Sequence, residues 1–207
     1  MLGYRTIAAP AEAEFVEKKS RFIGQIAPVQ TEEEALAFIA EISKKHHSAA
    51  HNVYAYILRE GNLSRFTDNG EPQGTAGIPT LDVLQKEGLT DVCVVVTRYF
   101  GGTLLGTGGL VRAYSHGTKI AVDAARILNM APCVRVGVDC EYSFYGKLSY
   151  FLPDWKAQVE SSDFGAAVHL ELLLREDRLE GFSKGLTELS NGQVCAAELG
   201  RFYADMP

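Results

Sequence analysis

The chain has 207 residues, of which 46% are hydrophobic and 22% are charged, and 20 basic against 26 acidic side chains give a formal net charge of −6. This composition is typical of a globular protein and excludes a disordered or fibrous chain. The length fits one or two domains.

Charge is divided unevenly along the chain. Residues 1–134 carry 13 basic and 14 acidic side chains (13 − 14 = −1), whereas residues 135–207 carry 7 and 12 (7 − 12 = −5). Lys and Arg contacts with phosphate supply most of the affinity for nucleic acids. Because neither part of the chain has an excess of basic residues, any nucleic-acid contact must be confined to a small part of the surface. The longest apolar runs are far shorter than the ~20 residues that cross a bilayer. No signal peptide is recognisable and the four cysteines are scattered, so we expect a cytoplasmic protein without membrane contact.

The first predicted elements are a strand over residues 21–27, a helix and a second strand over 52–58. The helix begins after Thr31, which forms a potential capping box with Glu34, and an apolar stripe follows. Residues 61–79 are rich in Gly, Pro and polar side chains, which predicts a long loop of the kind that is often functional.

The next predicted elements are a helix over residues 80–87 that ends at Gly88, and a strand over 91–97. The strand contains the continuous run Val-Cys-Val-Val-Val, which is typical of a strand buried on both faces. A glycine-dense segment, residues 101–109, then leads into a helix over 110–128. We place a domain boundary near Pro132, dividing the chain into residues 1–134 and 135–207.

The remaining residues predict strands over 134–142, 156–161, 167–175 and 193–203, with helices over 144–152 and 177–190. The order is strand, helix, strand, strand, helix, strand, which is the split βαβ arrangement. Many unrelated functions use this fold, so the pattern alone identifies none.

The glycine-dense segment is the strongest candidate for a binding site. Glycines between a strand and a helix let the backbone approach a ligand, and the first amides of the helix favour an anion. The alternative is a tight turn with close packing of helix on sheet. The segment matches neither common nucleotide fingerprint. Its candidate ligand residues are Gly101, Gly102, Gly106, Thr107, Gly108 and Gly109.

Arg98, Tyr99 and Phe100 precede these glycines. The arginine can clamp a phosphate while an aromatic ring stacks on a base or a partner side chain. The alternative places Phe100 in the core and Arg98 in a structural ion pair with Glu71 or Asp68.

Other polar residues permit further interpretations. Asp68 and Glu71 can form an acid/base pair or bind Mg²⁺ beside a phosphate, although the surrounding residues are also ordinary turn chemistry. The spacing of His47 and His51 suits a metal only if the helix continues beyond Lys45, and no companion ligand completes a zinc set, so we expect no metal site. Ser115 and His116 lie within a predicted helix, which disfavours a serine hydrolase.

Taken together, several motifs resemble the YigZ/IMPACT family. They are Lys18-Lys19-Ser20-Arg21-Phe22-Ile23, Ala50-His51-Asn52, Asp68-Asn69-Gly70-Glu71-Pro72, Gly74-Thr75-Ala76-Gly77, Arg98-Tyr99-Phe100-Gly101-Gly102 and Leu105-Gly106-Thr107-Gly108-Gly109-Leu110. The chain departs from the family pattern at Asn69, where a second Asp is usual, and at Val53, where Cys is common. Both departures weaken a metal or thiol mechanism.

The resemblance implies an α+β fold with an IMPACT N-terminal-like domain over residues 1–134. That domain would have the left-handed βαβ arrangement of a small-subunit ribosomal protein, the fourth domain of elongation factor G and the GHMP kinases. The second domain, residues 135–207, would be a ferredoxin-like βαββαβ domain similar to the last domain of elongation factor G. The resemblance also implies a role around translation, because eukaryotic relatives bind a ribosome-associated activator of an initiation-factor kinase.

We therefore predict a non-catalytic protein that binds RNA, the ribosome or a ribosome-bound partner without a cofactor. The contacts would come from His51, Arg65, Arg98, Tyr99, Arg112 and the start of the glycine-rich helix. The alternative is an enzyme acting on a nucleotide or phosphorylated small molecule, with Asp68 and Glu71 beside the glycines and no catalytic residue assigned. A third interpretation is an adaptor that contacts proteins alone.

Overall fold

A computed structural model describes residues 2–206, which form two compact units. The first unit covers residues 4–128, and the second covers residues 129–206 together with residues 2–3. Among the helices of residues 2–206, none combines the length and the apolar character needed to cross a membrane.

The first unit contains six strands and three α-helices in chain order. They are β1 (Tyr4–Ile7), β2 (Ala11–Glu17), β3 (Ser20–Pro28), α1 (Glu32–Lys45), β4 (His51–Leu58), β5 (Leu63–Thr67), α2 (Gly77–Lys86), β6 (Val92–Tyr99) and α3 (Thr107–Ala124). Five of the strands form an antiparallel sheet in the order β2-β3-β6-β4-β5. The central strand β6 is therefore flanked by β3 and β4, which bring Phe22 and His51 opposite Arg98.

Helices cover both faces of this sheet. Val92, Val94 and Val96 of β6 belong to the core that includes α2 and α3, whereas Cys93 belongs to the core beneath α1. Successive side chains of a strand point to opposite faces, so a strand covered on both sides must be apolar throughout. The prediction of a doubly buried strand is confirmed, and the cores hold the carboxyl end of β6 in place.

Two hydrogen bonds at the start of α1 and one close backbone contact of α3 position these two helices. Thr31 Oγ1 accepts the Glu34 amide at 3.2 Å at the start of α1, which confirms half of the predicted capping box, while Glu34 itself accepts the Gln30 amide. The helix α3 lies so close to β3 that a Cβ on Gly24 would sit 2.1 Å from the carbonyl oxygen of Gly117. Only glycine allows this approach, which presses α3 against the sheet.

Several predicted boundaries are wrong. The strands β1 and β2 precede the first predicted strand, and β5 lies inside the predicted loop. The helix α3 begins at Thr107 rather than at residue 110, and it ends at Ala124 rather than at residue 128. The end was misplaced because the apolar residues after Arg126 already belong to the next strand.

The second unit contains the remaining elements. They are β7 (Ile127–Cys140), α4 (Tyr142–Phe151), β8 (Gln158–Phe164), β9 (Val168–Arg175), α5 (Leu179–Leu189) and β10 (Ala196–Asp205). Its strands pair antiparallel in the order β10-β7-β9-β8. Both helices pack on one face, with Leu148 of α4 and Phe182 of α5 in the core. The split βαβ order and the α+β fold class are confirmed.

Candidate functional site

Arg98 and Glu71 form a buried ion pair at the end of β6. Arg98 Nη1 donates to Glu71 Oε1 at 2.7 Å, and the two side chains are only 6% and 4% exposed. Tyr114 of α3 donates its hydroxyl to the same oxygen at 2.7 Å. Burial, with the Glu71 carboxylate, raises the pKa of Tyr114 well above its usual value, so the hydroxyl remains a donor.

The Arg98 guanidinium has further neighbours. Its carbon lies 5.5 Å from the ring centre of Phe22 and 5.4 Å from that of Phe100, within the range of a cation–π contact. Nη2 donates to Ser20 Oγ at 3.4 Å. Nε is buried and has no hydrogen-bond partner within residues 2–206. The Nε donor of this buried guanidinium is therefore left without a partner, and each such buried group requires an explanation.

Asp68 organises the loop that carries Glu71. Its carboxylate accepts the amides of Gly74 (2.8 Å), Ala76 (3.0 Å) and Gly77 (2.8 Å) at the start of α2. Burial alone would raise the pKa of Asp68, but the three backbone hydrogen bonds outweigh it and lower the pKa below its usual value. Asp68 is thus an ionised helix cap.

The same loop positions His51. Its Nδ1 donates to the carbonyl oxygen of Asn69 at 2.8 Å, and its Nε2 lies 3.7 Å from Glu71 Oε1. Asn69 in turn accepts the Asn52 amide at 2.7 Å through Oδ1. His51 is therefore oriented toward the ion pair from β4, the strand next to β6.

The start of α3 is open. Gly106 precedes the helix with φ of 75°, a conformation that favours glycine, and no side chain caps the helix there. The first turn contains no acidic residue, and Gly106, Thr107 and Gly108 are exposed. The first amides of this 18-residue helix consequently present partial positive charge to solvent.

The helix start and the ion pair share one cavity of about 340 Å³, which we call the Arg98 pocket. Phe100 is 51% exposed and Leu104 is 82% exposed, so apolar surface lines the mouth. The lining residues are His51, Glu71, Pro72, Arg98, Phe100, Leu104, Leu105, Gly106, Thr107 and Leu110. The pocket combines an apolar wall with a polar floor and open amides.

The structure brings together five of the sequence-predicted site residues in the lining of the Arg98 pocket, namely His51, Glu71, Arg98, Gly106 and Thr107. Gly108 and Gly109 follow in the same helical turn. Gly101 packs against the backbone of Lys19, where a Cβ would lie 2.0 Å from its carbonyl carbon, and Gly102 has φ of 82°. These two glycines shape the turn after β6.

Other predicted residues lie elsewhere. Arg65 is exposed on β5 and donates to the Ser64 carbonyl, and Arg112 lines a neighbouring cavity. Tyr99 follows Arg98 on the opposite face of β6, where its hydroxyl is 3.0 Å from His46 Nδ1. Asp68 accepts backbone amides whereas Glu71 pairs with Arg98, so the two carboxylates have separate partners.

Sequence reasoning missed Tyr114, Ser20 and Leu104. The contacts of Tyr114 and Ser20 with the site depend on how α3 and β3 lie against β6, which no local pattern encodes. Within the part of the chain that the structure describes, no group of three or more His, Cys, Asp or Glu side chains is placed to hold a metal ion.

The fold and the pocket define a two-domain α+β protein with an open, glycine-rich helix start in its first domain. The family model described as the Impact N-terminal domain matches residues 18–122, and a domain of unknown function, DUF1949, matches residues 138–193. The chain belongs to the IMPACT family, which confirms the resemblance seen in its motifs.

Relatives match over most of the chain. IMPACT family member YvyE of Bacillus subtilis (strain 168) is 38% identical over 192 residues, which cover 92% of this chain and 88% of the relative. IMPACT family member YigZ of Escherichia coli (strain K12) is 35% identical over 190 residues, covering 90% and 93%. Protein IMPACT of Bos taurus is 34% identical over 94 residues, covering 44% and 30%. A crystal structure of a hypothetical protein matches 97% of this chain and 98% of its own, with a TM-score of 0.61 and 32% identity.

Proposed function

We propose that this protein is a non-catalytic, translation-associated binding protein that engages RNA, the ribosome or a ribosome-bound partner through the Arg98 pocket and the start of α3. Membership of the IMPACT family supports a translation-related regulatory role at the level of the family. The protein would act from the cytoplasm, the compartment in which ribosomes work.

The observation that carries this proposal is the open start of α3 beside the Arg98 guanidinium. Amides at a helix start favour an anion, and neither a side-chain cap nor a first-turn carboxylate competes for them here. Glu71 neutralises Arg98, so the amides supply the accessible positive charge of the pocket. Phosphate is the anion that RNA presents at every nucleotide.

The test uses Gly108, whose exposed position would place a side chain across these amides. A Cβ there meets only Arg112 Nη1, at 3.6 Å, so a side chain fits. Gly108→Gln partly blocks access to the first amides of α3 without adding charge, and we expect it to weaken ribosome binding about threefold. Gly108→Glu adds a carboxylate at the anion position, and we expect at least a further tenfold loss.

Binding is measured by co-sedimentation with ribosomes across a range of protein concentrations. Equal binding by the Gln and Glu variants would contradict an anion site at the start of α3. A nuclease-treated lysate provides a second readout: recovery of the same protein partner after RNA removal supports a ribosome-bound protein, whereas its loss supports RNA.

An enzyme acting on a nucleotide is the second candidate, because His51 is oriented beside Glu71 in a pocket with open amides. A thermal-shift screen of nucleotides with and without Mg²⁺ separates the two, since a ligand at 100 times its Kd stabilises the folded state by about 2.7 kcal/mol. A rise in Tm with one nucleotide would favour the enzyme.

A further inference from the structure

A second cavity lies on the other side of the α3 start from the Arg98 pocket. Its volume is about 260 Å³, and we call it the Lys18 cleft. It is lined by Phe15, Glu17, Lys18, Leu105, Gly109, Arg112, Ala113 and His116. A Cβ placed on Gly109 would lie 2.9 Å from the Cβ of Leu105, so Leu105 packs on the first turn of α3. Leu105 lines both cavities. Leu105 therefore separates two adjoining spaces.

The cleft, through Lys18 and Arg112, and the turn beside it, through Lys19, carry cations that have no internal partner, and Glu17 also lines the cleft. Lys18, Lys19 and Arg112 form no ion pair and no side-chain hydrogen bond within residues 2–206. Elsewhere in the first unit, Arg21 pairs with Glu14 and Lys45 pairs with Glu12, whereas Lys44 and Lys86 lie apart from one another without an ion pair among the described residues. Three unpaired cations against the single carboxylate of Glu17 leave a local positive potential at this place.

Two of these cations lie in a turn whose backbone conformation is unfavourable for lysine. Lys18 (φ 46°) and Lys19 (φ 67°) form the two-residue connection between β2 and β3, and Glu17 pairs with Ser20 across it. Such turns favour Asn and Gly, because a positive φ is unfavourable for other residues. The turn with its two lysines lies beside the glycine-dense segment, because Gly101 packs on the Lys19 backbone.

The Arg98 pocket offers the complementary chemistry. Its mouth carries the half-exposed ring of Phe100 and the exposed side chain of Leu104. Its floor contains the buried guanidinium of Arg98, whose Nε lacks a partner among the described residues. A half-exposed aromatic ring above a polar floor suits a flat, partly polar ligand such as a nucleobase.

We propose that the two cavities bind consecutive parts of single-stranded RNA, with one unpaired base in the Arg98 pocket and the neighbouring phosphates at the α3 amides and in the Lys18 cleft. This inference rests on the proposed function and specifies its ligand. A single strand is required because bases in an A-form duplex are stacked and paired, and so are inaccessible to a pocket. Three unpaired cations are enough for a short strand but not for an extended duplex surface.

The test measures binding of the full chain to a fluorescently labelled single-stranded RNA of eight nucleotides by anisotropy, at several salt concentrations. Three phosphate contacts give an expected slope of log K against log salt of about −2. Lys18→Gln and Arg112→Gln should each reduce that slope by about 0.7. Lys86→Gln, at an exposed cation on α2 outside both cavities, is the matched control and should leave the slope unchanged.

Phe100→Ala tests the base subsite. Loss of a stacking contact is expected to weaken binding by about 5- to 150-fold while leaving the salt slope unchanged. A duplex of the same length should bind at least tenfold more weakly than the single strand. Circular dichroism confirms that each exposed-site variant keeps its fold.

Several outcomes would overturn the inference. These are equal affinity for duplex and single strand, an unchanged affinity of Phe100→Ala, or an unchanged salt slope in both cation variants. If free RNA is not bound but ribosomes still co-sediment in a manner sensitive to Gly108→Glu, the RNA inference fails and the proposed function survives with a protein partner. If neither RNA nor ribosomes bind, both fail.

Discussion

Replacing Arg98 with methionine is expected to destabilise the first unit by about 3–5 kcal/mol. The reason is that Glu71 would lose its cationic partner at a site where its side chain is only 4% exposed. Removal of one partner from a buried pair leaves an uncompensated ion, and its desolvation is the dominant penalty. Tyr114 and His51 would remain near the carboxylate but would not replace the guanidinium charge of Arg98.

The double variant Arg98→Met with Glu71→Gln separates electrostatics from packing. It removes both charges, and Tyr114 can still donate to the amide oxygen, so we expect a total loss of about 1–2 kcal/mol. The double variant should thus be more stable than Arg98→Met alone. This reversal would show that the two charges are coupled, and Glu71→Gln alone completes the double-mutant cycle that measures the coupling.

The assay is urea unfolding followed by circular dichroism, combined with hydrogen exchange of the β6 amides. Trp155 belongs to the second unit, so its fluorescence reports that unit rather than the one perturbed. Arg21→Met is the control, because its ion pair with Glu14 has both side chains about half exposed, at 50% and 51%, and should change stability little. A loss below about 1 kcal/mol in Arg98→Met would refute the description of a desolvated pair.

Three further predictions follow from single residues. Asp68→Ala should lower stability by about 1–2 kcal/mol at neutral pH. Since the folded pKa of Asp68 is lowered, its contribution is present above the unfolded pKa of about 4 and is lost as pH falls through the folded value, so the difference from the parent should shrink in acid unfolding curves. Burial raises the pKa of Cys93 to about 12, whereas Cys195 is exposed. A thiol reagent should therefore modify Cys195 rapidly and Cys93 only on unfolding. Rapid modification of Cys93 in the folded protein would contradict its burial. Gly24→Ala should destabilise the first unit by about 2 kcal/mol or more, because the new Cβ would meet the Gly117 carbonyl, and thermal unfolding by circular dichroism would reveal the loss.

Elements whose own residues determine their structure could be predicted from the sequence. The doubly buried β6, the capped α1 and the α+β order of the second unit are of this kind. The edge strands β2 and β5 were missed because they are short or polar and form only by pairing with β3 and β4. The start of α3 was placed late because Gly108 and Gly109 are poor helix formers, and their helical conformation here depends on packing.

The site was only partly predictable for a related reason. The pairing of Arg98 with Glu71 was foreseen as an alternative because both residues flank predicted turns. The choice between Glu71 and Asp68 required the loop conformation, in which Asp68 accepts three backbone amides at and just before the start of α2. The contribution of Tyr114 required the position of α3 on the sheet. Long-range contacts of this kind are fixed by register and packing, which a local sequence pattern does not contain.

Gly108 provides an independent argument for a ligand at the start of α3. Gly109 has a structural reason to be glycine, since a Cβ there would lie 2.9 Å from the Cβ of Leu105. Gly108 has none: its φ is ordinary and its only close neighbour is the flexible end of Arg112. Glycine in a helix is nevertheless less stable than alanine by about 1 kcal/mol.

Gly108→Ala should therefore stabilise the first unit by about 1 kcal/mol. For this unit of residues 4–128, a specific unfolding entropy near 2 cal/mol/K per residue converts that gain into a rise in Tm of about 4 °C. If a ligand backbone must approach the helix start closely, the same methyl group should weaken ribosome binding about two- to threefold. A variant that gains stability and loses binding would show that the glycine serves the ligand, whereas a gain in stability with unchanged binding would place the ligand away from the α3 amides.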